Sequence, residues 1–287
     1  MAAPNATGNI SPTELERYSA DAPVWVLLRG LVRESRHWGK FPAQLQAALP
    51  GSVVITPDMP GNGSRCHETS PLTVAGMVAA LRADLRARGI HGQVNVLALS
   101  LGGMVAAHWR ASYPDEIARC VLINTSMRPF NPFYERLRWR NYRTILRELA
   151  LGTPASREAL ILQLTSECHG NDEALQQQWT AWQHECPVTR RNALRQLLAA
   201  SLYRAPAKND GCPLLIVNGA GDRLVDPRCS ERLAQAWHVA LSTHPYGGHD
   251  LPLDDGGWVA GQVVVWLDSV ARAFMPRKKR APDKPGQ

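Results

Sequence analysis

Nothing in the 287-residue sequence approaches the ~20 consecutive apolar residues that a bilayer-crossing helix needs. The opening stretch from Met1 to Ser19 also lacks a basic start followed by an apolar run. Neither a transmembrane segment nor a cleaved secretory signal is therefore expected, and the cytoplasm is the expected compartment. The six cysteines, Cys66, Cys120, Cys168, Cys186, Cys212 and Cys229, include no CxxC pair. That spacing excludes a zinc knuckle and a dense disulfide framework, and reads as reduced thiols without a catalytic role. Nucleotide-binding loops, metal-ligand clusters, flavin motifs and internal repeats are missing too, so no cofactor is expected.

Charge of one sign is in mild excess, at +7, but its distribution argues against a nucleic-acid protein. Arg277, Lys278, Lys279, Arg280 and Lys284 face only Asp283 after Pro276, a surplus of four in a segment with no apolar periodicity. Residues 276–287 read as a basic disordered tail, with contact to an anionic surface as the alternative. No zinc-finger spacing, basic-aromatic motif or heptad accompanies the tail, so no nucleic acid is expected as partner.

What is present is an ordinary globular composition, 45% hydrophobic and 20% charged, long enough for one large core with an insertion. Short aliphatic runs at Val24–Leu28, Val53–Ile55, Val94–Leu99, Arg119–Ile123, Leu214–Asn218 and Val239–His244 lack internal Gly and Pro, as strands buried on both faces should. Helix-like spacing lies between them at Trp38–Leu49, Val74–Arg88, Leu101–Tyr113, Ser230–Trp237 and Trp258–Phe274. Alternating strands and helices predict an α/β fold: a mostly parallel sheet of about six strands flanked by helices. Residues 128–207 break the rhythm with helical patterns and no convincing strand, and read as a helical cap inserted between core segments 1–127 and 208–275. Pro129 and Pro132 mark its beginning, Gly152–Pro154 its middle, and Pro206–Gly211 its end.

The segment Val94-Asn95-Val96-Leu97-Ala98-Leu99-Ser100-Leu101-Gly102-Gly103 carries a strand into Ser100 and straight into a helix. Such a turn projects a serine hydroxyl clear of the sheet edge and requires small neighbours, here Ala98 and Gly102. It also sets the Leu101 amide at a helix start, where unpaired N–H groups stabilise an oxyanion. An ordinary helix N-cap serine fits the same string. Among the histidines, His249 in Tyr246-Gly247-Gly248-His249 combines loop placement with flanking glycines, whereas His244 lies in a strand and His37, His91 and His108 on or beside helices.

Three further segments match in order and context, and with them the chain resembles the α/β-hydrolase superfamily over most of its length. Leu27-Leu28-Arg29-Gly30-Leu31 ends the first strand where the family usually has His-Gly, which implies that Leu31 gives the second oxyanion amide. Asp58-Met59-Pro60-Gly61-Asn62-Gly63 is similar to the family's structural Asp-x-Pro-Gly-x-Gly loop. Asp222 follows a late strand as the family's triad acid does, ahead of Asp226, Asp250, Asp254 and Asp255 as competitors, and His249 follows the last strand. The order Ser100, Asp222, His249 is the one expected of this fold.

The resemblance implies a serine hydrolase that cleaves a carboxylic ester or thioester of a small, apolar acyl substrate through an acyl-enzyme on Ser100. A slow-hydrolysing or non-catalytic small-molecule receptor, and a cofactor-free C–C hydrolase or perhydrolase, are the alternatives. Arg29 stands beside the oxyanion site in place of the family's His; it reads either as recognising an anionic substrate group or as pairing with a loop carboxylate. Phe130, Phe133 and Trp139 of the cap are candidate substrate contacts, with cap–core packing as the other reading.

Overall fold

The computed structural model describes residues 22–208 and 211–274. The reading of residues 276–287 as a tail lies outside the described residues. Six strands form one sheet: β1 (Val24–Leu28), β2 (Val53–Ile55), β3 (Val94–Leu99), β4 (Ile117–Ile123), β5 (Leu214–Gly219) and β6 (Ala240–His244). Their order is β2-β1-β3-β4-β5-β6, and every neighbouring pair is parallel. Leu28 sits opposite Ala98, and Leu99 opposite Ile123, so the first, third and fourth strands end level with one another.

Successive strand residues point to opposite faces, and both faces are apolar. On one, Val26, Leu28, Val96, Ala98 and Leu122 pack with helices α2 (Val74–Ala87), α3 (Leu101–Ser112) and α9 (Arg228–Trp237). On the other, Trp25, Leu27, Leu97, Val121 and Leu215 pack with α1 (Phe41–Ala48) and α10 (Leu251–Phe274). Each helix buries its apolar stripe: in α2 the buried positions are Val74, Met77, Val78, Leu81 and Leu85, and Thr73 caps it through the Gly76 amide.

Three sequence expectations change. β6 is an edge strand whose residues are half-buried or exposed, unlike the other edge strand β2, which is buried throughout, so burial on both faces does not hold at β6. The expected helix from Trp38 is a 3-10 turn (Ser35–Trp38) followed by α1, interrupted at Gly39, whose φ is 53°. The last helix starts at Leu251, ahead of the expected Trp258, with a kink at Asp255.

Between β4 and β5 lie α4 (Phe133–Arg136), α5 (Tyr142–Leu151), α6 (Pro154–Thr165), α7 (Glu173–Glu185) and α8 (Arg190–Leu202). The two ends of this insertion touch, through an isolated bridge between Arg128 and Arg204 and a 2.7 Å bond from the Ala205 amide to the Arg128 carbonyl. None of the described helices is long and apolar enough to cross a membrane.

Candidate active site

Strand order reverses direction between β1 and β3, and in open parallel sheets ligands collect at the carboxyl ends of strands flanking such a point. The loops that leave those two strands carry Arg29-Gly30-Leu31 and Ser100. Ser100 takes φ 56° and ψ −116°, a left-handed backbone that costs a non-glycine residue energy and is held by its surroundings. Its amide donates to Ile123 O at 2.9 Å, and its carbonyl accepts from Thr125 Oγ1 at 2.8 Å. The turn brings the helix so near the first strand that a Cβ on Gly102 would lie 2.4 Å from the Leu28 carbonyl oxygen. Any larger residue there would push α3 off β1.

Asp222 follows β5 and is buried, with 2% of its surface exposed. Its Oδ1 accepts the Leu224 and Val225 amides, each at 2.8 Å, and its Oδ2 lies 2.7 Å from His249 Nδ1. A carboxylate so held fixes the imidazole with Nδ1 protonated and Nε2 free to accept. The two loops approach closely because Gly219 has no side chain: a Cβ there would fall 2.0 Å from the Gly247 carbonyl oxygen.

One dipeptide that sequence reasoning missed holds these pieces together. Asn124, at the end of β4, donates from Nδ2 to Gly248 O at 2.9 Å and to His249 O at 2.8 Å, and accepts the Gly219 amide at 3.0 Å. Its neighbour Thr125 holds the Ser100 carbonyl. Ser100, His249 and the β5 end are therefore all tied to residues 124–125. Among the described residues no hydrogen bond joins the Ser100 hydroxyl to His249, although Asp222 and His249 are joined. The bond from base to nucleophile is commonly long before substrate tightens it.

The competing aspartates are engaged elsewhere. Asp254 accepts the Gly248 amide at 2.7 Å, Asp226 pairs with Arg228 at 2.8 Å, and Asp255 lies 3.5 Å from His244. Asp250 takes both terminal nitrogens of Arg29, at 3.0 and 2.5 Å. Both partners are buried, and Arg29 also stacks over Trp38 at 4.7 Å. Of the two readings of Arg29, this is the pairing with a loop carboxylate; an anionic substrate group would have to displace Asp250.

Leu31 lies in the turn closed by a bond from the Arg33 amide to the Gly30 carbonyl, and Leu101 opens α3. Next to Leu31, Val32 has φ 52°, and its amide donates to Gln196 Oε1 of α8 at 2.9 Å. Gly30 and Leu101 line a small cavity together with Met59, Asn62, Met77, Val105 and Gln196. Of the expected substrate contacts, Arg29 is part of its lining, whereas Phe130, Phe133 and Trp139 are not. Phe130 turns its edge onto Trp237 in the core, and Phe133 and Trp139 are 72% and 64% exposed. The backbone explains Trp139: the Arg138 amide bonds to Leu224 O, which fixes this turn beside the Asp222 loop while its ring faces solvent. No group of three or more metal-ligating side chains gathers among the described residues.

A second histidine is just as buried but differently placed. His37 lies edge-on to Trp179 and Trp182 of α7, with Nε2 3.0 Å from Arg33 Nη1. Burial, reinforced by the charges of Arg33 and Arg29, holds its imidazole well below the ordinary histidine range.

The comparisons with known proteins agree with this architecture. Lipase LipV of Mycobacterium tuberculosis is 34% identical over 114 residues, which cover 39% of this chain and 41% of that one, so the chain matches under half the length of that relative. RutD of a Caulobacter species is 24% identical over 235 residues, 80% of this chain and 85% of the relative. A thermophilic esterase from Thermogutta terrifontis superposes with a TM-score of 0.65 at 21% identity, covering 88% of this chain and 92% of that one; at such identity the likeness is one of fold. A family model described as the alpha/beta hydrolase family matches residues 25–262, from the first strand into the last helix, and the chain belongs to that family.

Proposed function

We propose that this chain hydrolyses carboxylic esters of small molecules through an acyl-enzyme on Ser100. The observation that carries the reading is the buried Asp222–His249 pair at 2.7 Å, tied through Asn124 and Thr125 to a strained serine at the end of β3. In this mechanism His249 Nε2 takes the Ser100 proton as the hydroxyl oxygen attacks the carbonyl carbon. Asp222 keeps Nδ1 protonated and stabilises the imidazolium. The carbonyl π electrons move to oxygen, and the Leu31 and Leu101 amides receive that oxyanion. Collapse expels the alcohol, which takes the proton from His249. Water, deprotonated by the same imidazole, then attacks the acyl carbon and frees the acid and Ser100.

The test is a p-nitrophenyl ester series of increasing acyl length on wild type and Ser100→Ala, alongside labelling with a fluorophosphonate. Wild type is expected to turn over short esters and take the label. Ser100→Ala is expected to lose turnover by about 10³-fold or more and to remain unlabelled. Near-normal hydrolysis by Ser100→Ala would reject the assignment.

A further inference from the structure

Helix α8 is amphipathic in the inverted sense. Its buried positions are Asn192, Gln196 and Ala199, while Leu194, Leu197, Leu198 and Leu202 are 52%, 39%, 44% and 60% exposed. The four leucines recur at three- and four-residue steps and so form one outward stripe. The inward face docks through hydrogen bonds from its polar side chains, with Ala199 alone among its buried positions joining the apolar core. Asn192 accepts the Ser70 amide at 3.0 Å and donates to Glu68 O at 3.0 Å, and Gln196 donates to Asn62 Oδ1 at 2.7 Å. With its polar side chains committed inward, the helix has no way to bury its leucines within this fold.

The stripe continues onto its neighbour. Arg136 donates to the Ala200 and Ser201 carbonyls and seats α4 at the C-terminal end of α8, where Phe133 and Tyr134 are 72% and 48% exposed. Exposed large apolar side chains gathered on two neighbouring segments in this way mark an interaction site.

Charge identifies the occupant. Arg190 and Arg191 are exposed at one end of the leucine stripe and Arg204 at the other, and no ion pair among the described residues includes them. The insertion as a whole, residues 128–207, carries eleven arginines against seven Asp and Glu, a net +4. A second copy of the chain would bring these arginines toward their own counterparts, which disfavours that partner. Leucines flanked by unpaired arginines match a surface that offers acyl chains below a layer of negative headgroups.

We propose that the outward face of α8, with the Phe133–Tyr134 turn, docks on an anionic lipid surface, the leucines entering the headgroup–acyl boundary and Arg190, Arg191 and Arg204 pairing with phosphates. The docked segment is hydrogen-bonded through the Arg138 amide to Leu224, two residues past Asp222, so docking would set the candidate site next to that surface. The proposal does not depend on the identity of the nucleophile.

Cosedimentation of the full chain with phosphatidylcholine vesicles, with and without phosphatidylglycerol, tests it. Wild type is expected to partition onto the anionic vesicles, less onto phosphatidylcholine alone, and less again as salt rises. The triple variant Leu194→Gln/Leu198→Gln/Leu202→Gln and the double variant Arg190→Gln/Arg191→Gln are each expected to lower that partition about tenfold while melting as wild type does. These side chains are exposed, so folding is unaffected by design, and either variant alone suffices. Absence of wild-type partition would overturn the proposal, as would partition that neither variant weakens, since binding would then lie elsewhere, the basic residues 277–280 included. Sedimentation of wild type as a dimer that the leucine variant dissociates would assign the stripe to a second copy instead.

Discussion

A guanidinium with 5% of its side chain exposed needs a partner, and Arg29 finds one in Asp250, directly after His249. The pair spans the loop that leaves β1 and the loop that carries His249. Removing one partner strands a buried charge, whereas removing both does not. Arg29→Met is therefore expected to lose about 3–5 kcal/mol in urea unfolding, and Arg29→Met/Asp250→Leu to recover most of it. Because the guanidinium is already committed to Asp250, the double variant is expected to keep the wild-type ratio of rates on anionic and neutral esters; a changed ratio would return Arg29 to the substrate. This pairing shows where the sequence stops being legible. Ser100 could be read because a projecting serine dictates small neighbours at fixed offsets, and Asp222 and His249 because each follows a strand. Arg29 and Asp250 lie 221 positions apart with no local pattern joining them. Asn124 likewise reads as a turn former after a strand, and its three bonds exist only once β4, β5 and the His249 loop are neighbours.

At the scale of elements, the parallel strands were legible to within two residues because burial on both faces leaves near-continuous aliphatic runs. β6 was found by the same pattern, but its residues are half-buried or exposed while those of the other edge strand, β2, are buried, a difference that no local pattern encodes. In helix α8 spacing alone does not tell which face is buried: its leucines recur at helical steps but face outward, and Asn192 and Gln196 occupy the buried face. Gln196 joins two elements at once. Its Oε1 accepts the Val32 amide at 2.9 Å, and its Nε2 donates to Asn62 and Ser70 at 2.7 and 3.0 Å. Val32 follows Leu31, so the insertion steadies the turn to which the second oxyanion amide is assigned. Gln196→Leu preserves size but leaves these groups unpaired, and is expected to cost about 2 kcal/mol of stability. If the turn is steadied for catalysis, kcat falls about tenfold with KM nearly unchanged, and Gln196→Glu, which keeps the acceptor, restores much of it. A loss confined to stability would limit Gln196 to docking the helix.

At the scale of the whole molecule, core and insertion meet around His37, and this junction makes stability depend on pH. The loop after β1 supplies Arg33, Glu34 and His37, α6 supplies Glu158, and α7 supplies Trp179 and Trp182. Arg33 lies 2.8 Å from Glu158, whose carboxyl burial raises despite that guanidinium. A proton on His37 would add a third buried cation beside Arg33 and Arg29, so the native state rejects it. The unfolded chain, with an ordinary imidazole, accepts it. The folded-state value being the lower one, the unfolded state binds more protons as pH falls, and the histidine's contribution, complete above about 6.5, is lost on acidification below it. Between pH 7 and 5.5 that loss amounts to about 1 kcal/mol, provided His37 stays neutral in the native state. Glu158 acts with the opposite sign, since its raised value makes the native state the better proton acceptor above about 4.5, and it offsets part of the loss. Urea midpoints at the two pH values, for wild type and for His37→Gln, isolate the histidine because Glu158 is common to both. The variant keeps an acceptor for Arg33 and removes the titrating ring, so the drop on acidification is expected to be smaller by about that amount. Equal drops in both proteins would mean that His37 takes up its proton without unfolding, and that the junction between core and insertion tolerates the added charge.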